Sequence, residues 1–209
     1  ASSVTNTSAS LSWTAPSSGT APSGYEYEVR TSGAAGSGST GLVASGSPTT
    51  NSASVSALTS NTSYSVYVRS FCGGSDYSAW TSAATFKTLC DAISTLPFTE
   101  NFDTVTAPAL PSCWTKNDVN ADGDSWITYT GYSNSGTTSA GLYTDGNSGS
   151  NNDYLILPTI TLTGNQRLVY YVRARSASEP NDYTVKLSTT DTAPASFTNT
   201  LLPLTSVSS

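Results

Sequence analysis

The chain has 209 residues, of which only 11% are charged, and its formal net charge is −6. An acidic surface repels phosphate backbones, which argues against nucleic acid as a partner. No apolar run reaches the roughly 20 residues that a membrane-spanning helix needs. There is no histidine, so the usual base for a serine or cysteine nucleophile is missing. We therefore expect a binding protein and not an enzyme.

The first half of the chain alternates apolar and polar residues in the pattern of half-buried strands. The positions predicted to face inward are Leu11, Trp13, Tyr25, Tyr27, Val29, Val55, Leu58, Tyr64, Val66, Val68 and Phe86. Stretches rich in Gly, Ser and Pro separate them, and no segment shows a helical period. Seven short strands in roughly 85 residues predict a β-sandwich.

Three motifs carry a family resemblance in this half: Ser-Leu-Ser-Trp13, the Tyr-Glu-Tyr-Glu-Val-Arg strand, and Leu58 followed by Tyr64 in Tyr-Ser-Val-Tyr-Val-Arg. Together they resemble a fibronectin type III domain over residues 1–89. The resemblance implies that Trp13 is a core residue. It also implies that Tyr64 is a tyrosine corner, whose hydroxyl returns to the backbone near Leu58.

A second pattern follows a junction at residues 90–96, and it opens with Leu-Pro-Phe-Thr-Glu-Asn-Phe-Asp103. Further strands are predicted within residues 152–158, 166–175 and 181–188. The order resembles the cleaved-adhesin or choice-of-anchor J domain, a relative of the MAM jelly roll. The resemblance implies an all-β chain in which a jelly-roll (galactose-binding-like) β-sandwich over 97–209 follows the fibronectin module. The closing strands of that family are not present, so the jelly roll is expected to be incomplete at its C-terminus or completed by a partner strand.

Residues 118–124 carry the most distinctive chemistry of the sequence. Oxygen-bearing side chains alternate along this loop at Asp118, Asn120, Asp122 and Asp124. Ca²⁺ takes six to eight oxygen ligands, and a Gly turn lets alternate residues converge. Position 12 of an EF-hand would be Tyr129 and no helices flank the loop, so a β-loop calcium site is predicted instead. The alternative is a solvated turn, because Asp, Asn and Gly favour turns without any metal.

Two further calcium ligands are implied by the family resemblance, namely Glu100 and Asp153. Asp103 is a further candidate ligand, and with Glu100 and Asp153 it is also a candidate for a glycosidase-type carboxylate pair. Nothing in the sequence sets the separation of these acids, and both resembled families are normally noncatalytic. We therefore expect calcium binding without catalysis.

The three cysteines suit an oxidising compartment. Cys72 and Cys90 follow strands that run in opposite directions, so they are expected at opposite poles, too far apart for a disulfide. Cys90 and Cys113 flank the opening strand of the second domain and are the predicted pair. Cys72 is left either as a free thiol or as the partner of a cysteine in an upstream segment.

Exposed aromatic side chains and short sequons supply the remaining candidate sites. Tyr129, Tyr132 and Tyr143 lie around the acidic loop and could stack on sugars or anchor a protein. Thr104 and Thr192 follow aspartates in three-residue motifs that resemble the O-glycosylation sequon of bacteria with type IX secretion. They are candidates for modification.

The expected function is a noncatalytic adhesion, filament or stalk segment of a large protein that is secreted to the bacterial cell surface. The absence of Met and of a signal segment suggests a mature or internal piece of that protein. The expected partners are a glycan or a surface protein of a host or neighbouring cell, and adjacent repeats of the parent chain. The alternative is an accessory region of a secreted protease or glycosidase that holds the enzyme to its substrate or surface.

Overall fold

The computed structural model describes residues 1–143, 151–178 and 180–208. The chain divides into two compact units, Ala1–Asp91 and Ala92–Ser209. Apart from one 3-10 turn at Pro194–Ser196, every regular element of the described residues is a β-strand, which confirms the all-β prediction. In these residues no helix has the length and apolar character needed to cross a membrane.

The first unit has two antiparallel sheets. Its strands are β1 (Ala9–Ser12), β2 (Gly24–Arg30), β3 (Leu42–Gly46), β4 (Ser52–Val55), β5 (Ser63–Gly73), β6 (Asp76–Tyr77) and β7 (Ala84–Lys87). One sheet pairs β1 with β4. The other has the order β3-β2-β5-β6, and β7 also pairs with β5.

The core of the first unit is formed by the inward positions that the sequence pattern predicts. Val29 is fully buried, and Trp13 packs edge-on against Tyr25 with ring centres 5.5 Å apart. The Tyr64 hydroxyl accepts a hydrogen bond of 2.8 Å from the backbone amide of Thr59, one residue beyond Leu58. The predicted core and tyrosine corner are both confirmed.

The second unit contains three antiparallel strand pairs among its described residues. Its strands are β8 (Thr115–Asp118), β9 (Ile127–Thr130), β10 (Thr138–Gly141), β11 (Asp153–Ile156), β12 (Asn181–Leu187) and β13 (Asn199–Val207). The pairs are β8 with β11, β9 with β10, and β12 with β13. This unit is β-rich, and the jelly-roll order of its strands stays a prediction.

The strand predicted at residues 166–175 is not formed, which corrects the sequence analysis. No described strand pairs with this segment, although its Leu, Val and Tyr residues strongly favour extended structure. A β-strand is stabilised by hydrogen bonds to a neighbouring strand, and among the described residues this segment forms none. Local propensity alone therefore did not produce the strand.

Candidate metal centre

The centre is built on the ladder between β8 and β11, where Asp118 lies directly opposite Asp153. The ladder is extended by a hydrogen bond of 3.1 Å from the Val119 amide to the carbonyl of Asn152. The Trp126 indole Nε1 donates to the backbone carbonyl of Asp153 at 3.2 Å. The two strands and the tryptophan thus fix the positions from which the two carboxylates project.

The loop after β8 folds back and carries a third carboxylate, that of Asp122. Ala121 and Gly123 adopt positive φ angles of 57° and 93°, and only Gly does so without strain. The Gly123 amide donates to Asp118 Oδ2 at 3.0 Å, and the Asp124 amide donates to Asp122 Oδ1 at 2.8 Å. These bonds hold the turn closed over the end of β8.

Carboxylate oxygens of Asp118, Asp122 and Asp153 all lie within 4.8 Å of one another. The Oδ1 atom of Asp118 and both carboxylate oxygens of Asp153 are shielded from solvent and accept no hydrogen bond. Buried polar atoms without partners are costly, and like charges directly opposite in a ladder destabilise it. A cation bound between the three carboxylates would remove both penalties.

The protonation of Asp153 reflects the same crowding. Burial raises the pKa of Asp153, and the negative charges of Asp122, Asp118 and Asp124 raise the pKa further. A carboxyl group whose charged form is disfavoured by both burial and like charges is stabilised by an added positive charge. The electrostatics therefore favour cation binding at this point of the ladder.

The donor set fits a hard divalent cation. All three side chains offer carboxylate oxygens, which suit Ca²⁺, Mg²⁺ or Mn²⁺, and the chain has no histidine to favour zinc or copper. Ca²⁺ tolerates irregular geometry and accepts backbone carbonyls and waters as further ligands. Three carboxylates from two strands and a loop could hold such an ion while leaving room for those ligands.

The other predicted ligands are placed differently. Asn120 lies in the loop, and its side-chain amide donates a hydrogen bond of 2.7 Å to Asp122 Oδ2. Asp124, two residues after Asp122, is half-buried. Glu100 does not belong to the three-carboxylate group, and its Oε1 accepts a hydrogen bond of 2.7 Å from the Phe102 amide. The structure thus brings together Asp118, Asp122 and Asp153, with Asn120 and Asp124 in the same loop.

Asp103 has a structural role that the sequence did not indicate. Its Oδ1 accepts hydrogen bonds from the amides of Thr137 at 2.8 Å and Thr138 at 2.9 Å. The hydrogen bond from the Thr137 amide lowers the pKa of Asp103 most strongly. Burial opposes this, and the bonds from the Thr138 amide and the Thr137 hydroxyl add to the lowering, so the pKa lies below its ordinary value. Asp103 thereby fixes the start of β10.

The three tyrosines differ in how far they are available to a ligand. Tyr129 is half-buried and its ring packs on Gly141, where an added Cβ would lie 2.9 Å from the ring. Tyr132 and Tyr143 are exposed. The Arg175 guanidinium lies 5.5 Å from the centre of the Tyr132 ring, which is within cation–π range. Tyr132 and Tyr143 are therefore better placed for contact than Tyr129.

The cysteines and the two candidate threonines are also located. Cys90 and Cys113 are joined in a disulfide, which is the predicted pairing. Cys72 lies on β5, is exposed and forms no disulfide. Thr104 and Thr192 are both exposed, outside the strands, so each is accessible to modification.

Comparison with known families agrees with this architecture. The Cleaved Adhesin Domain family matches residues 95–209, and the Fibronectin type III domain family matches residues 1–87. The chain belongs to the cleaved adhesin domain family and carries a fibronectin type III domain ahead of the adhesin domain. Both resemblances predicted from the sequence are confirmed.

Two curated relatives bear the name Hemagglutinin A, and both come from Porphyromonas gingivalis. Each is 36% identical to this chain in an alignment of 116 residues, and the match covers 49% of the chain. The matched part covers only 5% of one relative and 4% of the other. The similarity therefore concerns one adhesin-type segment of much longer proteins.

Proposed function

We propose that the chain is a noncatalytic adhesion, filament or stalk segment of a large protein that is secreted to the bacterial cell surface. Its domains would be residues 1–89 and 97–209, joined by residues 90–96. The proposal is carried by the group of Asp118, Asp122 and Asp153, in which Oδ1 of Asp118 and both carboxylate oxygens of Asp153 are buried and accept no hydrogen bond. The adhesin family match and the name of the relatives support the same class of function.

Calcium would act as a structural crosslink in this account. The ion would tie β8 to β11 and hold the 118–124 loop against both strands. A loop held in one conformation loses less entropy when it or its neighbours contact a partner. The bound ion would therefore stabilise the second domain and keep its surface ordered for binding.

The contact surface would lie on the exposed tyrosines near β9 and β10. Tyr132 and Tyr143 present apolar rings with a polar tip, a combination that suits stacking on sugars and anchoring at protein interfaces. The partner would be a glycan or a surface protein of a host or neighbouring cell. Adjacent repeats of the parent chain would be further neighbours.

A noncatalytic role is supported by the hydrogen bonds of the two candidate carboxylates outside the metal centre, Glu100 and Asp103. Glu100 and Asp103 accept hydrogen bonds from backbone amides, which position them as structural acceptors. Without histidine, the chain also lacks the usual base that activates a serine or cysteine nucleophile. The proposed activity is therefore attachment.

Binding of the purified chain to erythrocytes and to a glycan array, with Ca²⁺ or with EDTA, tests the proposal. We expect saturable binding in Ca²⁺, weaker binding in EDTA, and loss of binding in Tyr132→Ala or Tyr143→Ala. Tyr77→Ala in the first unit is the matched control and should bind like the wild type. Absence of binding to every surface, or turnover of a glycan or peptide by the chain, would contradict the proposal.

Modification of Thr104 and Thr192 is a separate part of the proposal. Both residues are exposed. The carboxylates of the preceding residues, Asp103 and Asp191, accept hydrogen bonds from backbone amides, and these bonds fix the local turn. Intact-mass analysis of the chain made in a type IX-secreting bacterium should show added hexose units. Thr104→Val and Thr192→Val should remove them, and an unmodified mass from that host would refute this part.

A further inference from the structure

The segment at residues 167–175, here called the arginine-flanked segment, leaves a large apolar area in contact with solvent. Val169 is 65% exposed and Tyr171 is 77% exposed, while Leu168, Tyr170 and Val172 are each 42–49% exposed. Soluble proteins rarely expose a contiguous run of five large apolar side chains, and such patches usually mark interaction sites. The exposed side chains therefore indicate that this segment is an interaction site.

Exposure along the segment has the period of two that is expected of extended backbone. Val169 and Tyr171 are more exposed than Leu168 and Tyr170, and Ala174 on the less exposed side is buried. The Tyr170 hydroxyl forms a hydrogen bond of 3.2 Å with the Tyr183 hydroxyl of β12. One side of the segment is thus turned toward β12 and the other toward solvent.

The backbone of the segment is available for pairing. Among the described residues, no strand pairs with 167–175 and no backbone hydrogen bond is formed by these positions. An extended segment with free amides and carbonyls can accept a further strand, with main-chain bonds giving affinity and alternate side chains giving specificity. The segment thus has the unpaired backbone amides and carbonyls that strand addition requires.

Charge defines the kind of strand that fits. Arg167, Arg173 and Arg175 are three of the eight basic residues in an acidic chain, and all three fall on the more exposed side with Val169 and Tyr171. Within residues 1–143, 151–178 and 180–208, neither ion pair involves these three arginines. Their positive charge has no carboxylate partner in that part of the chain.

Pairing with a second copy of the segment is disfavoured by the same charges. An antiparallel pair centred on Tyr171 would place Arg167 of each copy directly opposite Arg175 of the other, on the same face of the sheet. Like charges on neighbouring strands destabilise a sheet. The arginines therefore favour an acidic partner over self-association.

We propose that the arginine-flanked segment accepts an extended acidic polypeptide strand supplied by another molecule. The incoming strand pairs antiparallel with residues 167–175. On the exposed side it places carboxylates opposite Arg167, Arg173 and Arg175, and β-branched side chains opposite Val169 and Tyr171. The side chains between these positions face the other way and are small and polar.

The probe for this proposal is the nonapeptide Asp-Thr-Asp-Thr-Val-Thr-Val-Thr-Asp, labelled for fluorescence anisotropy and added to the full chain. We expect saturable binding, and we expect backbone amide exchange at 167–175 to slow in the complex. The same peptide with Lys in place of Asp should bind at least about tenfold more weakly, because like charges then face each other. A version N-methylated at every residue should not bind, since it has no amide hydrogen to donate to the ladder in any register.

Charge reversal in the protein gives the matched test. Arg173→Glu with Arg175→Glu should weaken binding of the Asp peptide at least about tenfold and should strengthen binding of the Lys peptide. Lys87→Glu on β7 makes the same kind of change elsewhere and should leave both affinities unchanged. Because the arginines are exposed, these variants are expected to fold, and an unchanged melting curve confirms it.

Four outcomes would overturn the proposal. They are the absence of peptide binding, equal binding of the Asp and Lys peptides, and dimerisation of the chain through residues 167–175. The fourth is protection of these amides in a longer polypeptide of the parent protein without added peptide, which would assign the strand to the same chain.

Discussion

Replacing Asp153 with Asn should change the stability of the second unit in opposite directions with and without calcium. Asp153 faces Asp118 across the ladder, and one oxygen from each lies within 4.8 Å of the other and of Asp122. Without metal, Asn removes one charge from this group and relieves repulsion. With Ca²⁺, Asn removes a charged ligand and weakens the stabilisation that the ion provides.

The size of the stability change follows from the distance between the carboxylate oxygens. Two unit charges 4.8 Å apart repel by about 3.5 kcal/mol at an effective dielectric constant of about 20, and by about 0.9 kcal/mol in water. Asp122 is exposed and Asp118 and Asp153 are half-buried, so a net relief of about 1–3 kcal/mol is expected in EDTA. For a unit of this size that is an increase in Tm of about 4–12 °C. In the wild type, a hundredfold excess of Ca²⁺ over Kd should add about 2.7 kcal/mol.

Differential scanning calorimetry of the wild type and Asp153→Asn, in EDTA and in excess Ca²⁺, measures these shifts. We expect the variant to melt above the wild type in EDTA and below it in Ca²⁺. Asp76→Asn removes an exposed carboxylate in the first unit and should change neither curve. Equal calcium responses in Asp153→Asn and the wild type, or a variant less stable in EDTA, would refute the electrostatic argument.

Three other changes test the structural framework of the two units. Tyr64→Phe removes the bond to the Thr59 amide and should cost about 1–3 kcal/mol of unfolding free energy, measured by urea titration; an unchanged midpoint would contradict the tyrosine corner. Gly136→Ala places a Cβ against the Asp103 carboxylate at a φ of +68°, and it should destabilise the second unit by about 1–3 kcal/mol; wild-type melting would count against that contact. Because hydrogen bonds lower the pKa of Asp103, its stabilising contribution should be present above the ordinary pKa of an aspartate and be lost as the pH falls through the lowered pKa. Asp103→Asn should remove this acid-side loss in a pH series of melting temperatures, and an identical pH profile would exclude the assignment.

The first unit was predictable from the sequence because its signals are local. Alternation places Tyr25, Tyr27 and Val29 on one face of β2 whatever the partner strand is, and all three are buried. The segment at 166–175 shows the limit of that reasoning. Its composition is at least as strand-like, but a strand needs a hydrogen-bonded neighbour, and composition does not reveal whether one is present.

The candidate metal centre was predictable in part for the same reason. Asp118 and Asp122 are close in sequence, and their spacing around Gly123 pointed to convergence in one loop. Asp153 joins them only through the register of β11 against β8, and in the sequence it is indicated only by the family resemblance. Glu100 came from that resemblance as well, yet its carboxylate caps the Phe102 amide.

The contact between Trp126 and the metal centre also depends on tertiary structure. Its indole donates to the Asp153 carbonyl, an interaction between residues 27 positions apart that no local motif indicates. That contact gives the centre a natural optical reporter. A lanthanide bound beside Asp153 would lie close enough to the indole to accept its excitation energy.

Terbium luminescence excited through tryptophan therefore tests most directly whether Asp118, Asp122 and Asp153 hold a cation. We expect Tb³⁺ to give sensitised emission with one ion per chain, and Ca²⁺ to compete it away. Trp126→Phe should dim the emission without changing calcium competition, and Asp118→Asn should abolish binding. Emission that is absent, or that persists unchanged in Asp118→Asn and Asp153→Asn, would contradict the proposed centre.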